Sequence, residues 1–207
     1  MKKVLIVAIV ILLLGFVITQ TDLFRSDKPS TFQETSISSP TPSSEKLNEQ
    51  TACTGVLTPP QAEGPYYKAG SPERNNITQG ISGEKLVVSG YVYDKNCKPI
   101  PNAWLDFWQA DSNGAYDNVG YKLRGHQYTD ENGMYRLETI VPAAYESRPP
   151  HIHVKARAGS EPALTSQLYF PEQKQNQSDS IFNKALLMIF KDTKNGKLAQ
   201  FNFVLNY

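Results

Sequence analysis

The sequence lacks several features that would assign a broad function class at once. Its 207 residues carry 21 basic and 20 acidic side chains, so no excess of charge predicts nucleic acid or an acidic surface as partner. It has only two cysteines, without a C-x-x-C pair, which argues against a cysteine metal or redox site. With only three histidines in the chain, two of them in one short segment become a feature to explain.

The N-terminal part of the sequence has the composition of a targeting segment followed by a linker. Lys2 and Lys3 precede an uninterrupted apolar run, Val4 to Ile18. That pattern is typical of a secretory signal, but the run also suits a retained membrane anchor, because basic residues favour the cytoplasmic side. We therefore expect an exported protein, with residues 1–22 as signal peptide or anchor that engages the secretion machinery or the membrane. Both alternatives stay open: removal of a signal peptide would give a secreted protein, and a retained anchor would give a protein tethered to the membrane.

Residues 23–50 are rich in Ser, Thr, Pro, Gln and Glu and predict a disordered linker, because they offer little apolar area to bury. One folded domain is expected over residues 51–207. It contains both cysteines, Cys53 and Cys97, and in an oxidising compartment an even count predicts a disulfide. The alternative is two unrelated thiols.

The domain is predicted to be all-β, specifically an antiparallel β-sandwich with long active-site loops and one short helix near the C-terminus. Short alternating segments with turn signals between them carry this prediction. The expected strands are Leu86–Asp94, Ala103–Ala110, Tyr135–Val141, His151–Ala158, Leu164–Phe170 and Leu198–Leu205. Helical spacing of apolar residues is confined to Ile181–Phe190. The stretch from Asp111 to Thr129 predicts a long functional loop with His126 as a solvated residue.

His151 and His153 are the sharpest chemical feature of the domain. Residues two apart on a strand face the same side, so both imidazoles can reach one point. Taken alone, the pair also fits two surface histidines on a polar strand face. Tyr145 and Arg148 come just before it in a proline-rich segment, and prolines restrict the backbone that presents these side chains.

Eight short segments follow one another along the chain: Glu63-Gly64-Pro65-Tyr66-Tyr67, Val88-Ser89-Gly90-Tyr91-Val92, Trp108-Gln109-Ala110, Gly114-Ala115-Tyr116, Arg124-Gly125, Thr129-Asp130-Glu131-Asn132-Gly133, Arg148-Pro149-Pro150-His151-Ile152-His153 and Gln167-Leu168-Tyr169-Phe170. Together and in this order, they resemble the intradiol ring-cleavage dioxygenases, the family of protocatechuate and catechol dioxygenases. The short connection between Tyr145 and His151 is similar to the compact exported members.

The resemblance implies one Fe(3+) ion held by Tyr116, Tyr145, His151 and His153. Phenolate oxygens favour ferric over ferrous iron, which makes chemical sense of this set. It further implies that O2 cleaves a catechol between its hydroxylated carbons to a muconate-type diacid. Within that reaction, Tyr145 is expected to leave the metal and accept a proton.

Two further roles follow from the resemblance. Arg148 is expected to stabilise negative charge on the ring, and Gln167 to contact the substrate. The preferred catechol and the oligomeric state do not transfer from the family. Two competing interpretations are a non-catalytic membrane-tethered binding module and a hydrolytic zinc site, for which the sequence offers no good third ligand.

Overall fold

The computed structural model describes residues 52–207, so the predicted signal or anchor and the linker lie outside the described residues. Within residues 52–207, nine strands form two sheets. Their bounds are β1 Lys85–Asp94, β2 Trp104–Gln109, β3 Arg124–Tyr128, β4 Met134–Ile140, β5 His151–Arg157, β6 Leu164–Tyr169, β7 Ile189–Thr193, β8 Gly196–Gln200 and β9 Phe203–Leu205. Among residues 52–207, no helix is long and apolar enough to cross a membrane.

One sheet has the order β4-β1-β8-β7, with β9 continuing beside the end of β1, and the other has the order β3-β2-β5-β6. The second sheet is antiparallel throughout, whereas β8 and β9 run parallel to β1. Alternate residues of both sheets, among them Val88, Phe107 and Ile152, are buried in a shared apolar core. The prediction of an all-β sandwich is confirmed, except that β8 and β9 pair with β1 in parallel and not in the antiparallel sense expected.

Three details of the predicted secondary structure are wrong. The expected helix over Ile181–Phe190 is only a 3-10 turn, Lys184–Leu186, after which Ile189 begins β7 and pairs with β8. The turn Lys174–Gln177 is likewise 3-10. Main-chain pairing in the hairpin overrides the helical spacing of the apolar side chains.

The other two corrections concern strands. The segment expected as one strand, Leu198–Leu205, is divided into β8 and β9 around Phe201 and Asn202. The predicted loop Asp111–Thr129 ends in strand β3, where His126 is half-buried and its Nδ1 donates to the carbonyl oxygen of Ser71 at 2.7 Å. Alternation is obscured in β3 because Arg124 and Gln127 are both buried on opposite faces.

Gly90 explains how the divided strands pack against β1. A Cβ at this position would lie 1.8 Å from the carbonyl oxygen of Phe201, so only glycine permits the close backbone approach. The Phe201 amide donates to the Ser89 carbonyl at 3.0 Å, and the Tyr91 amide donates to Asn202 Oδ1 at 2.9 Å. The side chain of Asn202 thereby replaces a main-chain acceptor where the ladder is interrupted.

The segment that precedes the first strand runs from β9 of the first sheet to β6 of the second sheet and is fastened at several points. A disulfide joins Cys53 to Cys97, in agreement with the expectation. Further along, the Thr58 amide donates to the Val204 carbonyl at 3.0 Å and the Gln61 amide donates to the Thr165 carbonyl at 2.8 Å. We call residues 53–67 the N-terminal strap, because they lead from the disulfide to the candidate site.

Candidate metal centre

The outer face of the second sheet is polar where the candidate site lies. Strand register places His153 opposite Trp108 on β2 and opposite Gln167 on β6, while His151 lies opposite Tyr169. By strand alternation these five side chains share the face opposite Phe107 and Ile152, yet all five are buried. The strap and two loops cover this part of the sheet, which makes it a lined site and not a solvated surface.

His151 and His153 meet as the strand alternation predicts. Their Nε2 atoms lie 3.0 Å apart, and each residue is 3% exposed. Burial lowers the pKa of His151 to about 4, and it lowers the pKa of His153 well below the ordinary range. Both imidazoles are therefore neutral at neutral pH, the form in which histidine binds metals.

The tautomer of His151 follows from its contacts. Its Nδ1 lies 2.7 Å from the Pro149 carbonyl oxygen, to which it donates, so the Nε2 lone pair is directed to the cluster. His153 is oriented differently, because its ring stacks on the Trp108 indole at a centroid distance of 4.8 Å and an interplanar angle of 9°. Its Nδ1 is buried and has no hydrogen-bond partner among residues 52–207.

Tyr116 brings a phenol to the two imidazoles. Its hydroxyl oxygen is 3.1 Å from Nε2 of His153 and 3.4 Å from Nε2 of His151. The loop that carries Tyr116 is shaped by Asp111, whose Oδ1 accepts from the amides of Asn113 and Ala115. Gly114 adopts a φ of +83°, and a Cβ there would lie 2.5 Å from the Ala144 carbonyl oxygen. Glycine thus lets this loop approach the segment that carries Tyr145.

Tyr145 lies at the site, but its hydroxyl group has other partners. Its ring meets the Tyr116 ring edge-on at a centroid distance of 5.6 Å. The hydroxyl donates to Glu146 Oε1 at 2.7 Å and is also hydrogen-bonded to the hydroxyl of Tyr66. Both hydrogen bonds raise the pKa of Tyr145 above that of an ordinary tyrosine, and the hydrogen bond with Tyr66 has the larger effect. Three of the four predicted ligands thus have their donor atoms together, and Tyr145 is adjacent.

Tyr66 is a site residue that the sequence did not single out by chemistry. Its ring is stacked on Tyr116 at a centroid distance of 4.3 Å and an angle of 8°, and its ring also meets Tyr145 edge-on. The strap presents Tyr66 here after Gly64, which has a φ of +74° and lies over the His153 ring. The Gly64-Pro65-Tyr66 motif was the available signal, but the motif alone assigns no role.

Arg148 forms the polar wall beside His151. Its Nη2 donates to Gln167 Oε1 at 2.8 Å, to the Tyr169 hydroxyl at 2.9 Å and to Asp179 Oδ2 at 2.8 Å. Its Nη1 lies 3.3 Å from Nε2 of His151. Gln167 is fully buried, and its Nε2 donates to the Ala62 carbonyl of the strap at 2.8 Å. Asp179 has no counterpart among the residues predicted from sequence.

The donor set at this site is mixed. Within residues 52–207, no group of three or more His, Cys, Asp or Glu side chains is suited to hold a metal. The available donors are two neutral imidazoles and the phenols of Tyr116 and Tyr145. Burial raises the pKa of Tyr116, so its phenol is protonated until a cation displaces the proton. Anionic phenolates with imidazoles suit a hard trivalent ion, and the residues present therefore fit ferric iron.

Comparison with known proteins agrees with the fold. The model of the family described as Dioxygenase matches residues 62–206. Catechol 1,2-dioxygenase of Acinetobacter baylyi is 31% identical over 155 residues, which are 59% of this chain and 50% of that protein. The chain spans about half the length of the first curated relatives that it matches, with shares of 50%, 46% and 56%.

Two solved structures extend the likeness to three dimensions. The dioxygenase domain of a dioxygenase carbohydrate-binding protein fusion from Streptomyces sp. SirexAA-E has 49% identity and a TM-score of 0.71 over 73% of this chain and 99% of that one. The 3-chlorocatechol 1,2-dioxygenase of Rhodococcus opacus 1CP has 29% identity and a TM-score of 0.67 over 71% of this chain and 72% of that one. With a matching family model over most of the chain, this protein belongs to the intradiol ring-cleavage dioxygenase family.

Proposed function

We propose that this protein is an Fe(III)-dependent dioxygenase that cleaves catechol-type rings with O2 between the two hydroxylated carbons. The observation that supports this most is the meeting of the Tyr116 hydroxyl with both imidazole Nε2 atoms within 3.4 Å, on a covered part of the sheet. The reaction product would be a muconate-type diacid that contains both oxygen atoms of O2.

The residues that would hold the ferric ion are Tyr116, Tyr145, His151 and His153. Iron bound there would supply a Lewis acid and an electron acceptor that makes a bound catechol reactive toward O2. The neutral state of the imidazoles favours this role, because a neutral imidazole can bind a metal without net release of a proton, and in His151 the Nδ1–H donates to Pro149 and leaves the Nε2 lone pair available. The phenols have to release theirs, so metal binding releases protons.

Tyr145 would serve as the base for one catechol proton. Its hydroxyl already has two partners, Tyr66 and Glu146 Oε1, which can hold the protonated phenol beside the site. The position of Tyr145 next to Tyr116 is thus compatible with a ligand that binds and leaves. Proton acceptance by a positioned side chain is ordinary general-base catalysis.

Arg148 would stabilise negative charge that develops on the substrate ring. The guanidinium lies beside His151. Burial lowers the pKa of Arg148, but the hydrogen bond to Asp179 and the neighbouring groups outweigh this effect, so the pKa of Arg148 is raised overall. It therefore remains cationic in the site, which is the charge that such a role requires. Gln167 contacts the same guanidinium and would line the substrate pocket.

The proposed partners are a catechol-type small molecule and O2. Export is proposed from the basic residues and apolar run at the N-terminus, and the Cys53–Cys97 disulfide is consistent with an oxidising compartment. Broad acceptance of substituted catechols is expected of a compact member. Whether residues 1–22 are removed or act as an anchor would decide between a secreted and a tethered enzyme.

Product identification tests this function directly. Iron-loaded protein is incubated with catechol, protocatechuate and hydroxyquinol under O2, and the products are separated and identified by mass. Muconate-type diacids are expected from at least one substrate, and relative rates would rank the three. A semialdehyde from cleavage outside the diol, or no O2 consumption with any of the catechols, would contradict the proposal.

A further inference from the structure

Asp179 belongs to an irregular segment that no strand fixes in place. Residues 170–183 follow β6 and contain the 3-10 turn Lys174–Gln177. Within this segment, the Asp179 amide donates to the Gln175 carbonyl at 3.0 Å and the Phe182 amide donates to the Asp179 carbonyl at 3.0 Å. These bonds form a compact turn whose one acidic side chain is directed to the sheet, where its Oδ2 accepts from Arg148.

The ion pair between Asp179 and Arg148 is largely shielded from solvent. Its nitrogen–oxygen distance is 2.8 Å, and the Asp179 side chain is 5% exposed against 22% for Arg148. A carboxylate in such a place is costly unless a cation accompanies it, and removing one partner leaves the other buried and uncompensated. The pair is therefore unlike the exposed ion pairs elsewhere on this domain, which contribute little.

The contacts of Arg148 divide between its two terminal nitrogens. Nη2 has three acceptors, Gln167, Tyr169 and Asp179, whereas Nη1 faces Nε2 of His151 at 3.3 Å. Asp179 is the charged member of the three, so it contributes most to the orientation of the planar guanidinium. With Nη2 occupied, Nη1 is the donor that remains directed to the metal and substrate side.

We infer that Asp179 is a positioning residue for ring cleavage: it holds the Arg148 guanidinium so that Nη1 faces the bound catechol. This inference rests on the function proposed above, in which Arg148 stabilises charge on the ring. Asp179 itself touches neither substrate nor metal ligand in this arrangement and acts through Arg148 alone. Residues 170–183, which lie outside the strands of the two sheets, thereby orient the Arg148 side chain in the site.

A purely structural role makes a different prediction. If the pair only fastens residues 170–183 to the sheet, its loss lowers stability and leaves the turnover of folded, iron-loaded protein unchanged. If Asp179 acts through Arg148, its replacement lowers kcat, and that effect disappears once Arg148 has been replaced. A double-mutant cycle separates the two, because it isolates the coupling between residues in contact.

The cycle uses Asp179→Asn, Arg148→Gln and the double variant, each loaded with iron and compared at equal iron content. Asp192→Asn is the matched control, because Asp192 forms an exposed ion pair with Lys197 away from the site. Asp179→Asn is expected to lower kcat on the order of tenfold with a smaller change in KM. The visible absorption band that charge transfer from phenolate to bound ferric iron would give is expected to stay in place. In the Arg148→Gln background the same substitution is expected to change kcat less than twofold.

An independent effect of similar size in both backgrounds would overturn the inference, as would unchanged kcat in Asp179→Asn. Should that variant fail to fold, Asp179→Glu keeps the charge but displaces it by one methylene. A severalfold lower kcat is then expected, and wild-type kcat would count against the inference.

A readout without iron keeps this inference distinct from the proposed function. In metal-free, 15N-labelled protein the Arg148 Nε–H signal, assigned by its loss in Arg148→Gln, reports whether the guanidinium is held. The Arg148 Nε atom is buried and has no hydrogen-bond partner in the described part of the chain, so its signal reports how firmly the contacts of the terminal nitrogens hold the guanidinium. Broadening or loss in Asp179→Asn, but not in Asp192→Asn, is expected. An unchanged signal would overturn the inference even if the protein proves to cleave catechols.

Discussion

Among the single residues of the site, Tyr66 combines a ring contact with a hydroxyl contact. Its ring stacks on Tyr116 at 4.3 Å between centroids, and its hydroxyl is hydrogen-bonded to that of Tyr145. The ring therefore fixes the orientation of one proposed ligand, while the hydroxyl holds the phenol that would leave the metal. The two contacts can be separated experimentally, because phenylalanine retains the ring and lacks the hydroxyl.

We predict that Tyr66→Phe preserves iron binding but lowers kcat, since the protonated Tyr145 loses a hydrogen-bond partner. Loss of one such bond costs about 1 kcal/mol, which corresponds to about fivefold in rate. Steady-state kinetics with catechol measure the effect. Tyr121→Phe is the control, because the Tyr121 hydroxyl donates to the Ala69 carbonyl outside the site. Equal kcat values in both variants and the wild type would contradict the role given to Tyr66.

Residues on regular strands could be placed from sequence, whereas residues on irregular segments could not. His151 and His153 follow from alternation alone, because a strand repeats every two residues. Tyr116 and Tyr145 needed the family resemblance. Tyr66 and Asp179 reach the site through the strap and an irregular turn, and no periodicity connects such segments with a sheet.

At the level of elements, the strap links the disulfide to the site. It begins at the Cys53–Cys97 bond and ends beside Tyr66, and hydrogen bonds to Thr165 and Gln167 fasten it between these points. Its attachment therefore combines one covalent bond with several local hydrogen bonds. The covalent bond should stabilise the whole domain, since it limits the freedom of the unfolded chain.

Replacement of both cysteines by serine is predicted to lower the free energy of unfolding by about 4 kcal/mol, as expected for a closed loop with a sequence separation of 44. Urea unfolding followed by tryptophan fluorescence measures the loss. Reductant should bring the wild-type protein to the same midpoint and leave the double variant unaffected. Identical midpoints for the oxidised wild type and the variant would show that the bond does not contribute.

A second prediction at this scale concerns Gly90 of β1, which packs against the junction of β8 and β9. Gly90→Ala places a Cβ 1.8 Å from the Phe201 carbonyl oxygen, so the backbone has to move and about 3 kcal/mol of stability should be lost. Gly80→Ala is the control, because nothing lies within 4 Å of its Cβ, although its φ of +71° costs about 1 kcal/mol. Similar unfolding midpoints for the two variants would contradict the close approach.

The elements that sequence patterns misplaced share a physical cause. Ile181–Phe190 has apolar residues at helical spacing, yet its last residues pair with β8 through the turn before Gly196. Strand β3 hides its alternation because residues on both of its faces are buried. In both cases, long-range pairing or burial decides the conformation, and a local window contains neither.

The molecule as a whole separates stability from chemistry by face. The inner faces of the sheets hold the apolar core, and the outer face of β3-β2-β5-β6 carries the proposed ligands His151 and His153 together with Gln167, which the strap contacts. The sandwich could be predicted from the spacing of alternating segments. The covering of one outer face by loops could not, because it depends on contacts between segments far apart in sequence.

Ferric titration of the metal-free protein, followed by visible absorption, tests the central claim most directly. A band from phenolate-to-iron charge transfer is predicted to saturate at one iron per chain, and Tyr116→Phe should weaken or shift it, whereas Tyr121→Phe should leave it unchanged. A protein that stays colourless at saturating iron, or a Tyr116→Phe band identical to that of the wild type, would contradict the claim that Tyr116, Tyr145, His151 and His153 hold a ferric ion.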